Sequence, residues 1–200
     1  MRARATSDQG QALPLFIWIT GAVLFAAFVF FAFAQAAVAR NGAQSAADAA
    51  ALAAAQDERA ELVEGLANAI ADGADDWWDW LDAEGAAGDG VYEAAARLAA
   101  ANDARLVELE KVRFDGNPGS RVAIRTRYPV GDSLIPGTEG QHARAEATAV
   151  IVPKCVVGSE LVESIEFTCE GGGEHSFDPD SFSEEDLPEA SDLFVVHLVG

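Results

Sequence analysis

Two cysteines, three histidines and one acid-rich run carry most of the chemistry this 200-residue chain could perform. In an oxidising compartment Cys155 and Cys169 would close a loop of about 15 residues, worth about 3 kcal/mol in the chain-entropy model. A reduced, buried pair is the alternative. Two thiols without a nearby pair of histidines fall short of the four ligands a structural zinc takes. His142, His175 and His197 are far apart and share no ligand spacing. No Gly-x-Ser-x-Gly elbow, P-loop or Gly-x-Gly-x-x-Gly after a strand occurs. Gly171-Gly172-Gly173 reads as a hinge more readily than as a phosphate cradle. The run 178–186, with Asp178, Asp180, Glu184, Glu185 and Asp186, offers the clustered oxygens that Ca²⁺ takes. Ser183, however, stands where an EF-hand loop needs glycine, so a solvated acidic loop is the better reading. No catalytic residue, cofactor or metal site is expected, and the chain reads as structural rather than enzymatic.

The element that must position everything else is a greasy stretch near the start. Residues 12–34 contain no charged side chain, and Thr20 and Gly21 are their only weakly polar members. As a helix the run is about 34 Å long, enough to cross a hydrocarbon core of about 30 Å. Arg2 and Arg4 precede it against a single Asp8, whereas Arg40 stands alone beyond it. Basic flanks stay cytoplasmic, which puts leader 1–11 inside and the rest outside. The rival is a cleaved secretory signal, for which Ala32-Phe-Ala34 and Ala37-Val-Ala39 supply small-x-small sites. Signal cores are shorter, about 7–15 residues, which favours an uncleaved membrane anchor. Both readings export the body.

Charge excludes one class of partner. With 33 acidic and 13 basic side chains the chain carries −20, which repels nucleic acid and disfavours anionic lipid head groups. The distribution is uneven: residues 41–110 hold 16 acids and 3 bases, residues 111–152 hold 4 and 6, and residues 153–200 hold 12 and 1. A slightly basic middle could bind the chain's own flanks or an acidic neighbour.

Residues 35–83 read as a helical stalk continuing the membrane helix, rich in Ala, with a kink or short break expected at Asn41-Gly42. Ala43, Ala46, Ala47, Ala50, Ala51 and Ala54 recur at i, i+3, i+4 spacing, a smooth stripe that another helix could approach closely. A plain solvated stalk is the alternative. Trp77, Trp78 and Trp80 sit among Asp75, Asp76 and Asp79 and are expected to pack beneath the domain. Residues 84–90 are a glycine-rich break, and 91–105 a second helix with Tyr92, Ala95, Leu98, Ala99 and Leu106 on one side. From there the period becomes two. Residues 107–114, 121–130 and 143–152 read as strands, with turn residues at 115–119 between the first two, and the middle strand alternates Val122, Ile124, Thr126 and Tyr128 with an outer row of arginines. Weaker strands are expected at 160–168 and 193–199, separated by a mobile acidic connection at 170–190. The sum is an α+β plan in which 91–200 form one exported domain with a small antiparallel, pilin-like sheet.

At residues 10–55 the chain resembles the N-terminal segment of TadE/TadG-like pilus-assembly proteins, from the tight-adherence (Flp pilus) machinery of bacteria. The resemblance rests on Gly10, the single apolar helix and the run from Ala43 to Ala55, AQSAADAAALAAA, at a fixed distance from the glycine. It marks Gly10 as a candidate processing site. Prepilin-like members carry a glutamate at the fifth position after that glycine, where Leu15 stands here, so the resemblance is closer to the unprocessed TadG-like type. It implies a membrane-anchored scaffold or minor pilin-like subunit. Its partners would be pilus subunits or assembly membrane proteins, met through Ala43, Ala47, Ala50, Ala51 and Ala54, in a homo- or hetero-oligomer. The alternative is an exported acidic binding module of the envelope, anchored or released by signal peptidase.

Overall fold

The computed structural model describes residues 12–85, 88, 90–129, 140–159, 165–171 and 173–200. The leader 1–11, Gly10 included, lies outside them. Helix α1 runs unbroken from Ala12 to Ala71, 60 residues and about 90 Å. Its alanines keep the helix at low cost, and Pro14 falls in the first turn, where proline is tolerated. The break expected at Asn41-Gly42 does not form, and the helix passes straight through. The hydroxyl of Tyr128 occupies the space a Cβ at Gly42 would need, so glycine serves here as a packing notch.

Only the second half of α1 belongs to the folded body. Its small side chains lie on a four-stranded antiparallel sheet of order β1-β2-β3-β7, comprising β1 (Ala104–Phe114), β2 (Asn117–Pro129), β3 (His142–Pro153) and β7 (Phe194–Val199). A second sheet holds β4 (Cys155–Ser159), β5 (Ile165–Cys169) and β6 (Gly173–Phe177). Two short helices, α2 (Trp77–Leu81) and α4 (Ala190–Leu193), and the longer α3 (Gly90–Ala101) complete the fold. This is the expected α+β architecture.

Local chemistry explains most boundaries. Asp115 and Gly116 both adopt positive φ, 50° and 86°, and Phe114 pairs with Asn117 across them. Two left-handed residues make the tight turn that matches strand twist. The turn is therefore two residues long, and 117–119, expected as turn, begin β2. Helix α3 starts against the acidic side of α1: the Glu61 carboxylate accepts the Gly88 N–H, and Asp57 lies beside Gly90. Negative charge at a helix start is favourable. The helix turns its Val91, Ala94, Ala95 and Ala99 inward and leaves Tyr92 exposed. Tyr92 was expected inside. A polar edge at its ring pulls it to water, and Ala94 takes the inner place. In β2, Val122, Ile124 and Thr126 are buried as the alternation requires, while Tyr128 reaches past the sheet edge to Gly42.

The region 170–190, expected as a mobile connection, is built where described. It forms β6 and two 3-10 turns, Pro179–Ser181 and Glu184–Asp186. Phe177 and Phe182 meet edge to face and pack against the core, Phe177 beside Phe167 of β5, which fastens the segment to the body. These aromatics are the signal that its acidic composition hides.

Candidate anchoring and assembly surface

The candidate site is a surface made by α1. From Leu13 to Val38 every residue is exposed, including Phe16, Trp18, Phe25, Phe30 and Phe33. Twenty-six residues of helix reach about 40 Å. Among the described residues nothing in the chain covers this rod, although a run so apolar is costly to leave in water. Its length and composition suffice to cross a membrane.

At Ala39 the character of the helix changes, and from there its burial follows helical spacing. Ala43, Ala46, Ala47, Ala50, Ala51 and Ala54 are all fully buried. They lie in one core with Val122 and Ile124 of β2 and Ala149 and Ile151 of β3. The stripe expected to accept a foreign helix is thus occupied by the chain's own sheet and by α3. The physical reason is reach: small residues let backbones approach closely, and the nearest apolar backbone belongs to this molecule. The stalk expected at 35–83 is correspondingly one wall of the domain expected at 91–200.

Polar contacts lock this wall in place. Glu58 is buried on α1, and its Oε2 lies 2.7 Å from Lys111 Nζ of β1, close enough for an ion pair but without hydrogen-bond alignment. Lower down, Gln44 Nε2 donates to the Glu146 carbonyl at 3.3 Å. Trp77 is fully buried and lies 6.3 Å from the Phe167 ring, coupling α2 to the second sheet. Trp80 presses its six-membered ring against Gly65 of α1 and against Gly85. The tryptophans therefore pack beneath the domain, as expected. Beside them the Arg113 guanidinium donates two hydrogen bonds to the Glu84 carboxylate, Nη1 to Oε1 at 2.9 Å and Nη2 to Oε2 at 2.7 Å. Sequence reading missed this fork, because residues 84 and 113 are brought together only by the fold. The guanidinium holds the Glu84 carboxyl below its ordinary range and is itself raised by the carboxylate. Asp82, in the same turn, is raised by burial and then by the charges of Asp79 and Glu84.

Cys155 and Cys169 are bonded. They are direct cross-strand partners at one end of β4 and β5, with Cα atoms 3.9 Å apart, and both are buried. The histidines occupy three separate settings. His142 Nδ1 lies 2.8 Å from the Thr126 carbonyl, His175 stacks beside Phe167 and Phe177, and His197 is exposed on β7. In the acidic run, the Asp178 side chain accepts from the Asp180 N–H and Asp186 from the Ser183 N–H. Those carboxylates are engaged in capping their own turns. No group of three metal-ligating side chains occurs among the described residues.

Residues 10–57 match the family model described as "Putative Flp pilus-assembly TadE/G-like". This stretch is similar to the TadE/G-like proteins. It covers about a quarter of the chain and contains both the exposed rod and the buried stripe, and it connects the protein with Flp pilus assembly. The one model joins TadE-like and TadG-like proteins. No curated protein and no solved structure matches the chain. The TadE/G-like segment thus ends one residue before Glu58, the buried acid that fastens it to the sheet.

Proposed function

We propose that this protein is a non-enzymatic, single-pass membrane component of a Flp-type pilus-assembly apparatus, a scaffold or minor pilin-like subunit. The observation that carries the reading is the division of α1 into a bare apolar half and a half built into the body. A rigid helix of this kind holds a folded domain at a set height above a bilayer. Leu15, in place of the glutamate that processed prepilins carry, supports an unprocessed, TadG-like member. The disulfide and the basic leader support a body on the outer side of the cytoplasmic membrane.

Membranes from cells producing the full chain, washed with alkaline carbonate and then analysed by intact mass, test the anchor. Retention at full-length mass is expected. A product shortened by about 34 or 39 residues would show signal-peptidase release, and one shortened by ten would show prepilin-type processing. Deletion of the gene should abolish or reduce piliation, and unchanged piliation would refute the assembly role.

A further inference from the structure

The sheet face turned away from α1 carries an arrangement that local stability disfavours. Arg105 of β1 pairs with Arg125 of β2, and Arg125 pairs with Arg144 of β3. Residues directly opposite one another share a face, so three guanidinium groups stand side by side across three strands. Like charges so placed are destabilising. Arg127 follows two residues along β2 on the same side, exposed, its N–H held by the Asp103 carbonyl at 2.7 Å. Among the described residues none of these four has a carboxylate within ion-pair distance. The nearest acids in register are Glu108 and Glu146, one row further up the same face, with Asp103 at the turn before β1.

The position of the row gives it meaning. Gly42 abuts Tyr128, Gln44 reaches Glu146, and Glu58 reaches Lys111, so the strands and α1 share a common vertical scale. Arg144 lies two residues below Glu146, about 6.6 Å along the strand, or four residues of helix. The row therefore lies in the part of the sheet nearer the rod, on the side of Arg40, which is exposed on α1 just where the apolar rod emerges. Five of the chain's 13 basic residues therefore gather at the end of the body from which the rod leaves, although the molecule as a whole carries −20. At ordinary ionic strength charges act over about 10 Å, a range that also takes in Glu108, Glu146 and Asp103, so among the described residues the five cations outnumber the three nearest acids and leave a local excess of positive charge.

We infer that Arg40, Arg105, Arg125, Arg127 and Arg144 form a collar that seats the sheet on anionic phospholipid head groups around the emerging helix. The inference rests on the reading of residues 13–38 as a membrane span. Guanidinium groups bind phosphate through paired N–H donors, and each cation at an anionic surface raises occupancy about fivefold. Seating would fix the rotation and tilt of the body as well as its height.

The full chain is placed in lipid nanodiscs of phosphatidylcholine alone or with about one third phosphatidylglycerol (a composition giving a clearly anionic surface). Amide exchange is then followed in peptides covering 121–129 and 142–149. Exchange at least about threefold slower in the anionic discs, lost at high salt and lost in R105Q/R125Q/R144Q, is the expected result. Because removing three opposed like charges relieves repulsion, this variant should melt no lower than the wild type, which separates lost seating from lost folding. Equal exchange in both discs, with the protein still co-floating, overturns the collar alone. Failure to co-float overturns the span and the collar together. Equal slowing by inorganic phosphate in neutral discs would show a phosphate site and overturn the lipid assignment.

Discussion

Replacing Ala47 and Ala51 by leucine separates a stripe used within the molecule from one offered to a partner. Both positions are fully buried, one helical turn apart, and lie in the core shared by α1 and the sheet. Leucine adds three carbons at each, and a well-packed site relieves such insertions only by moving side chains or backbone, at about 1–3 kcal/mol apiece. The residues are neighbours, so their costs are not strictly additive. About 2–5 kcal/mol together is expected, a large share of a native stability of about 5–15 kcal/mol. For a chain of this size each kcal/mol lowers Tm by about 2–4 °C, which gives a fall of about 4–20 °C. Thermal unfolding of the detergent-solubilised protein, followed by near-UV circular dichroism of the buried tryptophans, reads this directly. Ala60→Leu, on the exposed side of the same helix, is the control and should change stability by less than about 0.5 kcal/mol. If the double variant melts with the wild type yet loses co-purifying partners, the stripe is an external surface and the packing argument fails.

Further outcomes follow from other contacts. Gly65→Ala, a change that stabilises most helices by about 1 kcal/mol, should instead destabilise here because its Cβ meets the Trp80 ring. In a Trp80→Ala background the same change should stabilise, and a denaturant double-mutant cycle measures the reversal. Lys111→Ala should cost about 1–3 kcal/mol by leaving Glu58 buried and unpaired, whereas Glu58→Met should cost less, and paired denaturation curves decide it. Cys155→Ser with Cys169→Ser should lower stability by about 3 kcal/mol, and non-reducing gels together with melting curves check it. The Glu84 carboxyl is lowered in the folded state, so its contribution is present above the ordinary carboxylate range and is lost as pH falls through the lowered value. Asp82 is raised and acts with the opposite sign, favouring the fold as it protonates. The stability gap between wild type and Glu84→Gln should therefore close on acidification. A gap independent of pH would show that the Arg113 fork contributes nothing.

Much of the architecture was legible because it follows from short-range pattern. The apolar run, the alanine helix, the period of two in β2 and the Asp-Gly turn each concern residues close in sequence. Misreadings came where composition was trusted over sparse aromatic anchors. The acidic 170–190 region looked mobile, yet Phe177 and Phe182 hold it in place. Asn41-Gly42 looked like a break, yet glycine there serves Tyr128.

What the chain determined unaided was the existence of a spanning-length apolar helix, the helical nature of its alanine-rich continuation, and the sequence match with pilus-assembly proteins. All three depend on local composition and periodicity. Only the tertiary structure decided what lies against the alanine stripe, that Glu84 meets Arg113, and that three arginines line up at the rod end of the sheet. Those facts depend on strand register and on residues from 19 to 102 positions apart meeting in space. Periodicity tells which side of an element is apolar, but it carries no information about which neighbour will cover it.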